Sequence, residues 1–103
     1  MKHFLIKYRF KAGSQEDWHK AIDGFIAALN SDPAVKGKIA YRCMKNRDGT
    51  DYYHLAAASD DSASKALSNQ AFFKRYQEQT KLAAGGEIEV VPLELIAETV
   101  LRA

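Results

Sequence analysis

A single cysteine, Cys43, stands among 103 residues, so the chain can close no internal disulfide and build no multi-thiolate metal site. That usage fits a reducing compartment. Long apolar runs are missing too. The longest, Phe25-Ile26-Ala27-Ala28-Leu29, falls far short of the ~20 apolar residues that cross a bilayer. The opening MKHFLIKYRF meets charge before it reaches the roughly 7–15 apolar residues of a secretory signal. A cytoplasmic protein with no membrane contact is expected. Neither sign of charge dominates: Lys+Arg 15 against Asp+Glu 13 leaves +2. The basic residues are scattered and make no clustered field for a phosphate backbone, so nucleic acid is not an expected partner. A Gly-rich phosphate loop, a paired-carboxylate motif and a Ser-His-Asp order are also lacking, and no metal or cofactor is implied.

What is present is a folding composition, 47% hydrophobic and 27% charged, of a length that makes residues 1–103 one domain. Phe4, Ile6, Tyr8 and Phe10 alternate with His3, Leu5, Lys7 and Arg9, and this period of two predicts a strand. Ser14 with a carboxylate at Asp17 supplies a helix start. Trp18, Ile22, Phe25, Ile26 and Leu29 then make one apolar stripe, which ends near Pro33. Lys38–Lys45 alternates again, Asn46–Gly49 reads as a hairpin connection, and Asp51–Ser59 is a third strand. Asp60, Asp61 and Ser62 cap a second helix that carries Ala63, Ala66, Leu67, Phe73 and Tyr76 on one face. Phe72 lies off that stripe, and Gly85-Gly86 ends the helix. The closing segment, Glu87 to about Thr99, is a strand in which Pro92 marks an edge or a bulge.

The predicted class is α+β, in the ferredoxin-like order β-α-β-β-α-β, a four-stranded antiparallel sheet with two helices on one face. The other face then carries Leu5, Met44, Tyr53, Leu55 and two or three of Val91, Leu93 and Leu95, mixed with Lys7, Arg9 and Arg42. So much apolar surface on an open sheet needs a cover, and a second copy is the simplest one. A homodimer is expected. The basic residues either form a strip at the interface or pair with Glu87, Glu89 or the partner's carboxylates.

The opening strand running into Lys11-Ala12-Gly13, Tyr41 on the second strand, Ala63 and Phe73 ten apart, and the closing Glu87–Leu95 strand resemble the antibiotic biosynthesis monooxygenase family. The likeness covers nearly the whole chain. It implies a dimeric α/β barrel with a ligand cleft in each subunit between sheet and helices. The activity it implies is cofactor-independent oxygenation of a small aromatic or quinol-like substrate. Family members often carry a Glu and a Trp two apart late in strand three and a His on the second helix. The resemblance places those positions on Ala56, Ala58 and Leu67. Another constellation must therefore serve, or the chain is a non-catalytic small-ligand-binding or structural homodimer.

With that alignment, His54 and Tyr52 fall on the cleft side of strand three and are the candidate catalytic pair. An imidazole can move a proton near neutral pH, and a phenol can bind a carbonyl or an enolate. A core histidine bonded to a backbone group or a tyrosine is the structural alternative. Tyr8, Tyr41, Phe73 and Tyr76, with Trp18, are candidate cleft walls for a flat apolar substrate, unless they are simply core. Cys43 shares the parity of Tyr41 and joins the substrate-binding candidates. As a nucleophile its base would have to be His54. His3 and His19 read as exposed.

Overall fold

Alternation of apolar and polar side chains builds β1 (Lys2–Arg9), β2 (Ile39–Lys45), β3 (Asp51–Ala58) and β4 (Glu89–Leu93), and apolar stripes build the helices between them. The computed structural model describes residues 1–100. The helices are α1 (Gln15–Ser31), α2 (Asp61–Ser68) and α3 (Ala71–Ala83). The strands form one antiparallel sheet in the order β2-β3-β1-β4. This is the ferredoxin-like α+β arrangement, with Pro92 on the edge strand β4, where a missing N–H breaks no central ladder. Beyond Leu93 the chain leaves the sheet, earlier than the apolar run to Thr99 suggests.

α1 starts where Ser14 Oγ accepts the Asp17 backbone N–H at 3.3 Å. It buries Trp18, Ile22, Phe25 and Leu29. These side chains meet Tyr8, Tyr52, Val35, Leu67 and Tyr76 in the core between sheet and helices.

The single second helix expected from the sequence is two. Ser68 Oγ bonds back to the Ser64 carbonyl at 3.0 Å, and the Gln70 amide donates to the Ala66 carbonyl at 3.1 Å. Short polar side chains thus compete for the backbone just where α2 ends. Gln70 takes an extended backbone (φ −80°, ψ 133°) and α3 begins anew. The restart brings in Phe72, which lies off the stripe of one continuous helix. Both Phe72 and Phe73 now pack on Phe25, with ring centroids 6.0 and 6.1 Å away. At the far end Gly85 and Gly86 take positive φ, 66° and 92°, which turns the chain from α3 into β4 at no Cβ penalty.

α2 is eight residues long and has little helical stability of its own. Its Asp60 cap accepts the Ala63 N–H at 2.8 Å. Asp60→Ala is expected to lower folding stability by ~1 kcal/mol, read as a shift of the urea unfolding midpoint.

The helix-free face of the sheet is a set of cross-strand rows. Arg42, Leu55, Leu5 and Val91 lie side by side, as do Met44, Tyr53, Lys7 and Glu89. Lys7 pairs with Glu89 at 3.5 Å, whereas Arg9 pairs with Asp51 at 3.0 Å rather than with Glu87 or Glu89. Leu5, Leu55 and Val91 stay partly exposed. Met44, Leu93 and Leu95 are exposed apolar residues on this side or just beyond it. Among the described residues no helix is long and apolar enough to cross a membrane.

Candidate active site

His54 sits at the centre of β3 with Ile6 of β1 on one side and Cys43 of β2 on the other. Tyr8 and Tyr41 occupy the diagonal positions on those flanking strands, two residues along. That spacing lets long aromatic side chains reach over a neighbour. The imidazole is wholly buried, 0% exposed, and both ring nitrogens are met by phenols. The Tyr8 hydroxyl lies 2.8 Å from Nε2. The Tyr41 and Tyr76 hydroxyls lie 2.8 and 3.2 Å from Nδ1. Trp18 Nε1–H donates to the Tyr8 oxygen at 2.8 Å. At the other end Tyr41 donates to Tyr76 over 3.5 Å, and Cys43 Sγ stands 3.9 Å from the Tyr76 oxygen. One connected polar network therefore runs from α1 through the sheet to α3 inside an apolar core, with every member partnered.

Stacking fixes the aim of Tyr76. Its ring lies flat against Phe25 (centroids 3.8 Å apart, planes 4° apart) and near-parallel to Trp18 at 5.7 Å.

Burial also sets the charge of each group. A buried imidazolium loses its hydration, so the His54 pKa falls to about 4 and the ring is neutral at pH 7. The same loss raises the phenols of Tyr8, Tyr41 and Tyr76 well above the usual phenol range and pushes the Cys43 thiol up to about 11. At neutral pH the network is uncharged throughout. A thiol held in that range carries little thiolate, which speaks against Cys43 as a nucleophile.

A cleft of about 460 Å³ opens beside this network, between the sheet and the α2–α3 pair, a size typical of small-molecule sites. Phe4, Ile6, Ile39, Leu67, Phe73, Ile88 and Val90 make it apolar, and among the described residues no carboxylate lines it. Tyr41 and Tyr76 are in its wall and carry the polar network to its surface. Ala56, Ala58 and Leu67, the positions onto which the family resemblance maps a Glu, a Trp and a His, line the same cleft.

The seven candidate residues separate. His54, Tyr8, Tyr41, Tyr76 and Cys43 come together. Phe73 is a cleft wall away from the hydrogen bonds. Tyr52 stacks its ring on Tyr8, centroids 5.2 Å apart, but takes no part in the hydrogen bonds to His54. Its hydroxyl meets His19 Nε2 at 2.8 Å, and with Cys43 and Tyr41 it borders a second, more open cleft of about 520 Å³ against α1. Neither His54 nor Tyr8 reaches the wall of the first cleft, so His54 can act on a ligand there only through Tyr41 and Tyr76. Three further residues carry no expectation from the sequence: His19 as the partner of Tyr52, and Gln77 and Lys81 of α3, which line the first cleft. Their i, i+4, i+8 spacing from Phe73 was the available signal. Among the described residues no three His, Cys, Asp or Glu side chains are placed to hold a metal ion.

No protein-family model and no curated protein matches the sequence. Solved structures do match the fold. SnoaB, a cofactor-independent oxygenase from Streptomyces nogalater, superposes with a TM-score of 0.73 at 15% identity, over 94% of each chain. A Nitrosomonas europaea protein provisionally assigned as an antibiotic biosynthesis monooxygenase gives 0.76 at 12%, over 94% of this chain and 100% of its own. A dimeric ferredoxin-like protein of unknown function from Jannaschia gives 0.68 at 19%, over 92% of this chain and 100% of its own.

Proposed function

The chain shares the fold of antibiotic biosynthesis monooxygenase-like proteins, and from that premise we propose that it is a cofactor-independent monooxygenase of small aromatic or quinol-like molecules. It works as a homodimer of residues 1–103, with one cleft per subunit. The observation that carries the reading is the pair of phenols, Tyr41 and Tyr76, set in an apolar wall and joined to the buried neutral His54. A ketone or quinol ring enters the cleft flat, and its oxygen meets the Tyr76 hydroxyl, to which Tyr41 donates from within the wall. On ionisation the ring proton leaves to water and negative charge gathers on that oxygen. A donor already in place in an apolar wall stabilises such charge without reorganising. The substrate's own carbanion then adds to dioxygen and, on protonation, gives a hydroperoxide. This loses water as its O–O bond breaks, so one oxygen atom stays as the new carbonyl and the other leaves as water. The substrate carbon supplies all four electrons. The protein contributes orientation, desolvation and stabilisation of the enolate. His54 is a positioning residue in this scheme, because it faces the phenols and not the cleft. The homodimer is supported by the apolar rows on the open sheet face and by the dimeric Jannaschia neighbour.

The test is oxygen uptake with anthrone as substrate. Wild type is expected to consume oxygen above the spontaneous rate. Tyr76→Phe removes one donor from the developing oxyanion, and kcat/KM should fall about a hundredfold. Uptake no faster than the spontaneous rate, with anthrone and with a naphthalenediol, sinks the enzyme reading. Tight binding under those conditions would make the protein a ligand carrier, the reading favoured by Ala56, Ala58 and Leu67 in the cleft wall.

A further inference from the structure

We propose that Trp18 and Tyr8 are positioning residues that hold His54 as its Nδ1–H tautomer, so that the cleft wall offers a hydrogen-bond donor and selects a carbonyl-bearing ligand. The proposal deepens the reading of the cleft as a ligand site and rests on it.

The protons along the network fix the tautomer. A neutral imidazole has one N–H and one bare nitrogen, and its neighbours decide which is which. The Tyr8 oxygen has the Trp18 N–H on one side and His54 Nε2 on the other, each at 2.8 Å. A phenol proton lies in the ring plane with two orientations. One would point it at the Trp18 hydrogen, and the indole N–H can only donate. The Tyr8 proton therefore points to Nε2, which must be bare. The opposite tautomer would give the Tyr8 oxygen two incoming hydrogens and leave its own proton with no acceptor among the described residues. A buried unmade hydrogen bond of that kind is costly.

With Nε2 bare, the proton is on Nδ1, and the remaining directions follow. Nδ1–H donates toward the Tyr41 oxygen at 2.8 Å, with the Tyr76 oxygen at 3.2 Å as its second acceptor. Tyr41 then passes its own proton to Tyr76. Among the described residues the last proton, that of Tyr76, has only Cys43 Sγ at 3.9 Å, and sulfur is a weak acceptor. It is free to turn to a better acceptor in the cleft that Tyr76 lines. A carbonyl oxygen is such an acceptor. With the other tautomer a phenol proton would be drawn back to Nδ1, and the wall would offer lone pairs to a ligand hydroxyl instead. A tryptophan on α1 thus sets the chemical preference of a cleft whose walls it does not join.

The experiment reads the tautomer and the preference separately. In protein carrying ¹⁵N-histidine, long-range proton–nitrogen correlation at pH 7 is expected to show His54 with a protonated Nδ1 and a bare Nε2. Titration calorimetry uses two ligands of matched shape, 1-tetralone with a carbonyl and 1-naphthol with a hydroxyl. Wild type should prefer the tetralone by about tenfold, the worth of one well-placed hydrogen bond. Trp18→Phe keeps an aromatic ring and frees the second orientation of the Tyr8 proton. The Nε2–H form should then become populated and the preference should shrink toward parity. The double variant Tyr41→Phe/Tyr76→Phe, which leaves Trp18 and Tyr8 in place and strips both phenol protons from the wall, should lose the preference with the Nδ1–H tautomer retained. A protonated Nε2 in wild type overturns the proposal whatever the ligands do, as does an unchanged tautomer and preference in a folded Trp18→Phe. An Nδ1–H wild type that binds neither compound overturns instead the reading of the cleft as a ligand site, and the carbonyl preference with it.

Discussion

Acidification from pH 7.5 to 4 is expected to cost the protein about 3 kcal/mol of folding stability through His54 alone. The folded pKa is about 4, against the ordinary imidazole value of 6.5 that the unfolded chain keeps. Between those values the unfolded chain binds a proton that the folded one does not. Stability therefore rises with pH across the window, in full above pH 6.5 and lost progressively down to 4. Below that the folded imidazole is protonated as well and the loss levels off. Each unit of difference is worth ~1.4 kcal/mol. The cause is structural: a proton added to the ring would put a charge on a wholly buried imidazole whose hydrogen-bond partners are uncharged phenols. Urea unfolding at a series of pH values measures the loss. His54→Gln separates it from the carboxylates, which titrate alike in both proteins. Its stability should be lower at pH 7.5 but flatter between pH 6.5 and 4. Parallel curves for the two proteins would show that the imidazole does not resist protonation.

The second large effect is expected at the open sheet face. Leu5 lies between Leu55 and Val91 in one cross-strand row, so Leu5→Glu places a carboxylate in the middle of the apolar patch. Within one subunit the site is only partly buried, and the folded protomer should tolerate the charge. Under a two-fold axis the change enters the interface twice, each copy losing its hydration on association at a cost of several kcal/mol. The dimer dissociation constant should rise by roughly a thousandfold or more. Sedimentation equilibrium would then give a monomer mass for the variant and a dimer mass for wild type. A monomeric wild type at tens of micromolar would remove the homodimer from the proposed function.

Much of the fold was legible because strand and helix periods are local. The parity of Phe4, Ile6 and Tyr8, and the spacing of Trp18, Ile22, Phe25 and Leu29, put each residue on the face it occupies. The break between α2 and α3 was less visible. It depends on Ser68 and Gln70 side chains bonding to backbone carbonyls four residues back, which an apolar stripe does not register. The candidate residues were a mixture for the same reason. Parity placed Tyr52 and His54 on one side of the sheet, yet the Tyr52 hydroxyl leans to His19 on α1 and leaves His54 to other phenols.

Residue order and residue type were enough for the α+β class, for two sheet faces of different character, and for an aromatic-rich interior with one histidine in it. They could not pair hydroxyls with ring nitrogens. Tyr8 meets His54 across 46 positions of sequence and Tyr76 meets it across 22. Such meetings hang on strand register, on the restart at Ala71 and on the stacking of Tyr76 between Phe25 and Trp18. A shift of one residue in any pairing would turn every side chain of that strand to the other face. Hydrophobic pattern is a property of each segment taken singly. The direction of a hydrogen-bond chain exists only once β1, β2, β3, α1 and α3 are packed together.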